Sequence, residues 1–317
     1  MKKRIISVLF ATVFALSVIG CGTKDTKEQD AYRQYGITCM ESGKYEDAVK
    51  AFQNALGESI GHIGEKELDI CFYKAKAQAL DGKTKDALAT YDAIIKYNKD
   101  ARAYYLRGDL YMDMGEEKKG KADFESAVQH GKKNYEIYIG IYESLSRHEK
   151  KDEGQKYLSA AMEIKGDKPE DELYKGRISY LLGENKDAIS YLEKAKEHKQ
   201  MLASYYLGLA YDANGDSDKA KKCIAEYIKS GVATSYDLYE LGMQEMQDGN
   251  YKNALTYFNS GLELEKVPNK QNLMKSAIAA YEYSGDFDSA KKMMKEYLKA
   301  YPDDEEAKHE NTFLETR

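Results

Sequence analysis

Apolar and small residues recur every three or four positions along most of the chain, with polar residues between them. Residues 104–127 show this spacing twice. Tyr104, Gly108 and Tyr111 form the first set, and Phe124 and Ala127 form the second. Such a spacing places side chains on one side of an α-helix, so the pattern predicts two amphipathic helices that pack together.

The same pattern recurs along the chain, with a glycine near the middle of each unit. These glycines are Gly43, Gly82, Gly115, Gly183, Gly215, Gly249 and Gly285, at successive spacings of 39, 33, 68, 32, 34 and 36 residues. The longest spacing equals two units of 34 residues, with Glu149 where the intervening glycine would stand. Glycine adopts the left-handed conformation that ends a helix without strain, so each glycine predicts a turn. The sequence therefore predicts about eight helical hairpins.

The period resembles that of the tetratricopeptide repeat (TPR), a helix–turn–helix unit of 34 residues. The Leu-Gly and Phe positions of the family are matched in the seventh unit by Leu241, Gly242 and Phe258. Small residues such as Gly108 and Gly120 are expected to let the two helices of a hairpin approach closely. Large residues such as Phe124 would fill the space between neighbouring hairpins.

This resemblance implies an all-α fold, a right-handed superhelical solenoid of about eight TPR units. The solenoid would cover residues 30–302, because no hairpin buries its apolar side alone and each must stack on the next. The polar segment 303–317 is expected to form a C-terminal cap or a tail.

The N-terminus has the pattern of an export signal. Three basic residues at positions 2–4 precede an uncharged stretch, Ile5 to Ile19, which is shorter than the roughly 20 residues of a membrane-spanning helix. Its end, Val18-Ile19-Gly20-Cys21, resembles the bacterial lipobox, in which cleavage precedes a cysteine that then carries lipid. A plain signal peptide is the alternative, but the Ala-x-Ala-like trio that precedes its cleavage site is missing.

The lipobox predicts a signal peptide over residues 1–20, which is removed, and a lipid anchor with a short tether over residues 21–29. The mature protein would be extracytoplasmic and held by the lipid on Cys21 at the bacterial cell membrane, or at the outer membrane if the envelope has two membranes. Loss of the three basic residues changes the formal charge from −6 to −9. So acidic a protein is not expected to bind nucleic acid.

Composition supports a folded helical protein. Of the 317 residues 42% are hydrophobic and 28 are Tyr, which is too many for a disordered chain, and only 3 are Pro. Besides Cys21, three widely spaced cysteines remain: Cys39, Cys71 and Cys223. Their odd number argues against a disulfide framework and favours small core residues.

One acidic stretch could be taken for a calcium loop, because Asp212, Asn214, Asp216 and Asp218 alternate like oxygen ligands. A calcium loop that starts at Asp212 would have Gly at its sixth residue and Glu at its twelfth, but Ser and Cys stand there. The stretch is therefore interpreted as a hairpin turn in which an Asp or Ser caps the second helix.

No catalytic or metal-binding motif is recognisable. The five histidines (His62, His130, His148, His198 and His309) lie far apart and lack metal-ligand spacing. The sequence predicts a protein that is not an enzyme, with no cofactor and no metal.

In the TPR family, partners usually lie along a groove formed by the first helix of each unit. Carrying the family's second, fifth, ninth and twelfth positions onto this sequence suggests a partner-binding groove of Phe72, Tyr105, Met112, Arg177, Tyr180, Tyr205, Tyr239, Met243 and Met246. Tyr and Met suit adaptable protein contacts, so the hypothesis is a scaffold that binds a protein or extended peptide at the cell envelope, in envelope or surface-structure assembly.

Two alternatives remain open at this point. The same tyrosines and methionines could instead be packed between helices as core residues. The groove could also bind a glycan or a cell-wall fragment, which would favour a tight cluster of aromatic residues near carboxylates.

Overall fold

The computed structural model describes residues 27–59, 63–166 and 168–317, and within these ranges it contains 17 α-helices and no β-strand. The helices are α1 (Lys27–Glu41), α2 (Tyr45–Gly57), α3 (Glu65–Leu80), α4 (Thr84–Asn98), α5 (Ala101–Asp113), α6 (Glu117–His130), α7 (Tyr135–Arg147), α8 (Lys151–Met162), α9 (Pro169–Leu182), α10 (Asn185–Glu197), α11 (Leu202–Ala213), α12 (Ser217–Lys229), α13 (Ser235–Gln247), α14 (Tyr251–Leu262), α15 (Lys270–Ser284), α16 (Phe287–Ala300) and α17 (Glu305–Leu314). Consecutive helices pack in pairs as eight hairpins, and α17 follows the last pair. The predicted all-α repeat fold is confirmed.

The turns inside the hairpins follow the predicted glycines. All seven have a positive φ, between 70° and 84°. Glu149 replaces the expected glycine in the fourth hairpin and has the same backbone conformation, with φ of 62°. In the acidic stretch, Asp216 accepts a hydrogen bond from the backbone N–H of Lys219 at 3.3 Å, so the predicted cap of α12 is confirmed.

Close approach of the helices is visible in the third hairpin, α5/α6. A Cβ atom added to Gly108 would lie 2.9 Å from the ring of Phe124 and 3.0 Å from the carbonyl oxygen of Gly120. Phe124 is fully buried and packs with Ile137 and Ile141 of the next hairpin. The expected roles of Gly108, Gly120 and Phe124 are therefore confirmed.

The chain divides after Glu226 into two compact units. In the second unit, the C-terminal residues form α17, which buries Ala307 and Leu314 against α15 and α16. Asp304 precedes α17 and accepts hydrogen bonds from the Ala307 N–H at 3.1 Å and the Tyr297 hydroxyl at 2.5 Å. Lys275 Nζ lies 2.8 Å from the same carboxylate, and these donors hold the pKa of Asp304 well below its usual value.

The cysteines in the described part of the chain occupy the positions expected of core residues. Cys39 and Cys223 are buried, Cys71 is half-buried, and all three are free thiols.

The predicted signal peptide, Cys21 and most of the tether lie outside the described residues. Within the described ranges, none of the helices has the length and apolar character needed to cross a bilayer.

Candidate interaction face on the first helices

Within each unit the first helices of successive hairpins lie side by side, and charged side chains join several of them. We use the name first-helix face for the surface that these helices form in each unit: α1, α3, α5, α7, α9 and α11 in the first unit and, as a separate surface, α13 and α15 in the second. At its start, Arg33 of α1 pairs with Asp69 of α3 at 2.7 Å and lies over the ring of Tyr73 at 5.2 Å. The face is therefore held by ion pairs between repeats as well as by apolar packing.

Arg177 of α9 is the centre of the largest of these charged groups. Its guanidinium lies 3.2 Å from Glu136 and 3.0 Å from Glu143, both on α7, and 5.5 Å from the ring of Tyr206 on α11. Its side chain is only 13% exposed, so the two carboxylates replace the water that the charge has lost. Burial raises the pKa of Glu143, and Arg177 opposes that rise. Arg177, suggested as a partner-binding residue, is engaged in contacts within the chain.

Asp109 of α5 and Arg147 of α7 form a second charged pair, with Arg147 Nη2 at 2.5 Å from Asp109 Oδ1. Asp109 is buried, and this burial raises the pKa of its carboxyl group, while Arg147 opposes the rise. One helical turn further, Asp113 Oδ1 lies 3.1 Å from His148 Nε2 at the end of α7. Helices α5 and α7 are thus joined at two successive turns.

Three of the suggested groove residues lie in the core. Tyr105 is 9% exposed, Met112 is 4% exposed and Tyr205 is 9% exposed. Tyr105 packs against Phe124 and covers Gly140 of the next hairpin, where a Cβ atom would come within 2.6 Å of its ring. The interpretation of these three as partner contacts is corrected, because their side chains are buried.

Other suggested residues keep part of their surface accessible in the first unit. Phe72 of α3 and Tyr180 of α9 are half-buried. Arg102 of α5 lies over the Phe72 ring at 4.5 Å, and Phe72 also packs against a buried cluster that includes Ala75 and Tyr91. Tyr174 and Tyr206 are half-buried as well. The sequence analysis did not include them in the groove, because each lies one place after the fifth position taken from the family. The adjacent tyrosines Tyr205 and Tyr206 could have indicated that either of the two is the accessible one.

The first-helix face of the second unit has a different character. Tyr239, Met243 and Met246 of α13 are half-buried and pack around Phe258 and residues of α15. Ser276 Oγ lies 3.6 Å from the sulfur of Met243. The suggested residues here form a partly exposed apolar surface that contains flexible methionine side chains.

Three sequence models of the tetratricopeptide repeat match the chain. They cover residues 36–95, 101–129, 202–230 and 271–304. The chain contains tetratricopeptide repeats. Proteins built from TPR units bind protein or peptide partners and are generally non-catalytic scaffolds, so the TPR chain belongs to a class of protein–protein interaction scaffolds.

Solved structures similar to the TPR chain have low sequence identity with it. A tetratricopeptide repeat protein from Parabacteroides merdae is 12% identical, with a TM-score of 0.47, over 80% of this chain and 99% of that one. PilW, described as a type IV pilus biogenesis factor, is 18% identical, with a TM-score of 0.44, over 66% and 97%. A chain of the APC/C hetero-tetramer Cut9–Hcn1 is 15% identical, with a TM-score of 0.44, over 90% and 55%. No curated protein matches the chain significantly.

Proposed function

We propose that the TPR chain is a lipid-anchored, non-catalytic scaffold of the bacterial cell envelope that binds a protein partner on its first-helix face. The observation that carries this proposal is the arrangement of half-buried aromatic residues on that face. Phe72, Tyr174, Tyr180 and Tyr206 are each half-buried, beside charged groups that are already paired. Aromatic rings fixed by their neighbours supply contact area at a low cost in conformational entropy.

The paired charges favour a partner that contributes apolar side chains. Glu136, Glu143 and Arg177 are satisfied within the chain, so a partner would gain little by competing for them. The second unit offers Tyr239, Met243 and Met246, and the flexible thioethers suit an irregular apolar partner. A short amphipathic segment with aromatic or aliphatic anchors fits this chemistry.

Photo-crosslinking in the native cell tests the proposed surface. Probes replace Phe72, Tyr180 and Tyr239, which are half-buried on the first-helix face, and the adducts are identified by mass spectrometry. A matched control probe replaces Tyr97 of α4, which is 55% exposed on a second helix. We expect the same protein partner at the first-helix positions and not at position 97.

Capture of the same protein with equal yield from position 97 would contradict the proposed surface. Sugar-bearing adducts at the three positions would favour the alternative of a glycan or cell-wall ligand. Two carboxylates of this face, Glu136 and Glu143, are bound to Arg177, so they are poorly placed to hold sugar hydroxyl groups.

The anchor is tested separately through Cys21. Its place after Val18-Ile19-Gly20 supports lipidation. In cells, a Cys21→Ala variant is expected to lose incorporation of labelled fatty acid and to leave the membrane fraction. A Cys39→Ala variant is the matched control, because Cys39 is a buried core residue. Membrane attachment that survives Cys21→Ala would overturn the anchor and leave the interaction face untouched.

A further inference from the structure

We propose that Asp109, Asp113 and His148 bind a divalent transition-metal ion that joins α5 to α7. One potential ligand atom from each residue lies within 4.8 Å of the other two. Asp109 and Asp113 are one turn apart on α5, and His148 stands directly after the last residue of α7. The site is therefore assembled from two adjacent repeats.

The donor set is what separates this cluster from an ordinary acidic patch. An imidazole nitrogen with two carboxylate oxygens suits zinc and related transition-metal ions, whereas calcium and magnesium favour oxygen ligands alone. Three protein ligands also leave at least one position for water or for a group from a partner.

One of the observed distances already matches zinc coordination. Zinc–ligand distances of about 2.0 to 2.2 Å place two ligand atoms roughly 3.0 Å apart in octahedral and 3.4 Å apart in tetrahedral coordination. The separation between His148 Nε2 and Asp113 Oδ1 is 3.1 Å, which lies within this range. The Asp113 side chain is 56% exposed, so it can rotate toward Asp109, and ions can enter from solvent.

The charges around the cluster are compatible with a cation. Arg147 binds Asp109 through Oδ1, and Ser144 also hydrogen-bonds to this carboxylate, so a metal ion would share the Asp109 carboxylate with both groups. In this role Arg147 would orient a metal-ligating carboxylate through its hydrogen bond, as groups that hold metal ligands in place commonly do. With a neutral imidazole, the two carboxylates outweigh the one guanidinium. A bound cation would also relieve the repulsion between Asp109 and Asp113.

Zinc titration of the full, chelator-treated chain tests the proposal, with any purification tag free of histidine. We expect one equivalent of Zn²⁺ to bind with micromolar or tighter affinity and an excess of Ca²⁺ not to compete. Asp113→Asn and His148→Ala should each lower the affinity at least about tenfold. His130→Ala is the matched control, because His130 stacks on Tyr104 and lies outside the cluster; it should bind like the parent.

A second measurement separates metal binding from a merely structural hydrogen bond between His148 and Asp113. At the same Zn²⁺ concentration, the thermal unfolding midpoint should rise in the parent chain and rise less in both variants. Cobalt substitution should show no thiolate charge-transfer band, since the ligands contain no sulfur. Circular dichroism establishes that the variants are folded. Absence of saturable zinc binding, or binding by both variants with the affinity of the parent, would overturn the proposal.

Discussion

The third and fourth hairpins build the same element from different residues. In α5/α6, Gly108 and Gly120 face each other and Gly115 forms the turn. The fourth hairpin, α7/α8, has Tyr142 where Gly108 stands one period earlier, and it has Glu149 in the turn. A family model matches the third hairpin, and the fourth lies outside the four matched segments.

The close helix contact survives in the fourth hairpin because the glycine of its second helix is kept. A Cβ atom on Gly154 would lie 3.0 Å from the Tyr142 ring and 3.2 Å from its Cα atom. Ile139, Ile141 and Leu145 are buried to 1% exposure or less. The spacing of apolar residues therefore specifies the hairpin, and the individual family residues adjust its stability.

The largest expected effect concerns the charges that tie the fourth hairpin to the fifth. Arg177→Met should lower the free energy of unfolding by about 2 to 4 kcal/mol, because Glu136 and Glu143 lose their counter-ion while partly buried. Chemical denaturation measures this change. Arg102→Met is the matched control: Arg102 is exposed, pairs with its near neighbour Asp100 and also lies over the Phe72 ring, where Met can keep an apolar contact. This change should cost about 1 kcal/mol or less. Equal costs would show that the interhelical pairs contribute no more than surface pairs.

A smaller effect is expected where the third hairpin depends on glycine. Gly108→Ala should destabilise the protein by about 1 to 3 kcal/mol, because the added methyl group meets the Phe124 ring and the Gly120 carbonyl oxygen. Gly57→Ala at the end of α2 is the control, since nothing lies within 4 Å of its added Cβ atom. A thermal midpoint unchanged by Gly108→Ala would mean that α5 and α6 can separate at little cost.

Substitutions in the turns of the third and fourth hairpins should change the free energy of unfolding in opposite directions. Gly115→Ala should cost about 1 kcal/mol, because alanine is strained at a φ of 76° and its Cβ atom meets nothing that would add a clash. Glu149→Gly should stabilise the protein by about the same amount, since it removes the strain at a φ of 62°. Denaturation midpoints of the two variants and of the double variant measure both effects. Changes of the same sign would show that the left-handed turn is not what distinguishes the two hairpins.

The smallest effect concerns pH. Burial raises the pKa of Glu143 above its usual value of 4.5, so the folded state holds this proton more tightly than the unfolded state. The contribution of Glu143 to the free energy of unfolding should therefore grow as the pH falls through the raised pKa. Below pH 4.5 it should be fully present and change no further. A titration of the Glu143 carboxyl carbon by NMR measures the pKa, and Arg177→Met should raise it further. A value below 4.5 in the parent would contradict the stated balance of burial and charge.

Much of the fold could be predicted because helices, turns and hairpins depend on residues close in sequence. The glycines predicted the positions of the turns. The period predicted a turn at Glu149, which adopts the left-handed conformation that glycine usually adopts. Exposure of single side chains depends on a helix rotation of about 100° per residue, which the period alone does not fix. Tyr205 is therefore buried, while its neighbour Tyr206 is half-buried.

The charged contacts were missed because their members lie about one repeat apart rather than within a short motif. Asp113 and His148 are separated by 35 residues, and Glu143 and Arg177 by 34. The repeat resemblance was the only information in the sequence that could bring them together. Opposite charges one period apart on the first helices were the available signal.

The pairs between first helices also bear on the order of the repeats. A chain of identical hairpins can slip by one unit during folding without losing any contact. Here Arg177 needs the carboxylates of α7, and Arg147 needs Asp109 of α5, so a hairpin docked on the wrong neighbour leaves charges without partners. The charges thus specify which hairpin packs on which. Deletion or duplication of a repeat here would separate these pairs, and the charged residues of the neighbouring hairpins would have to change with it.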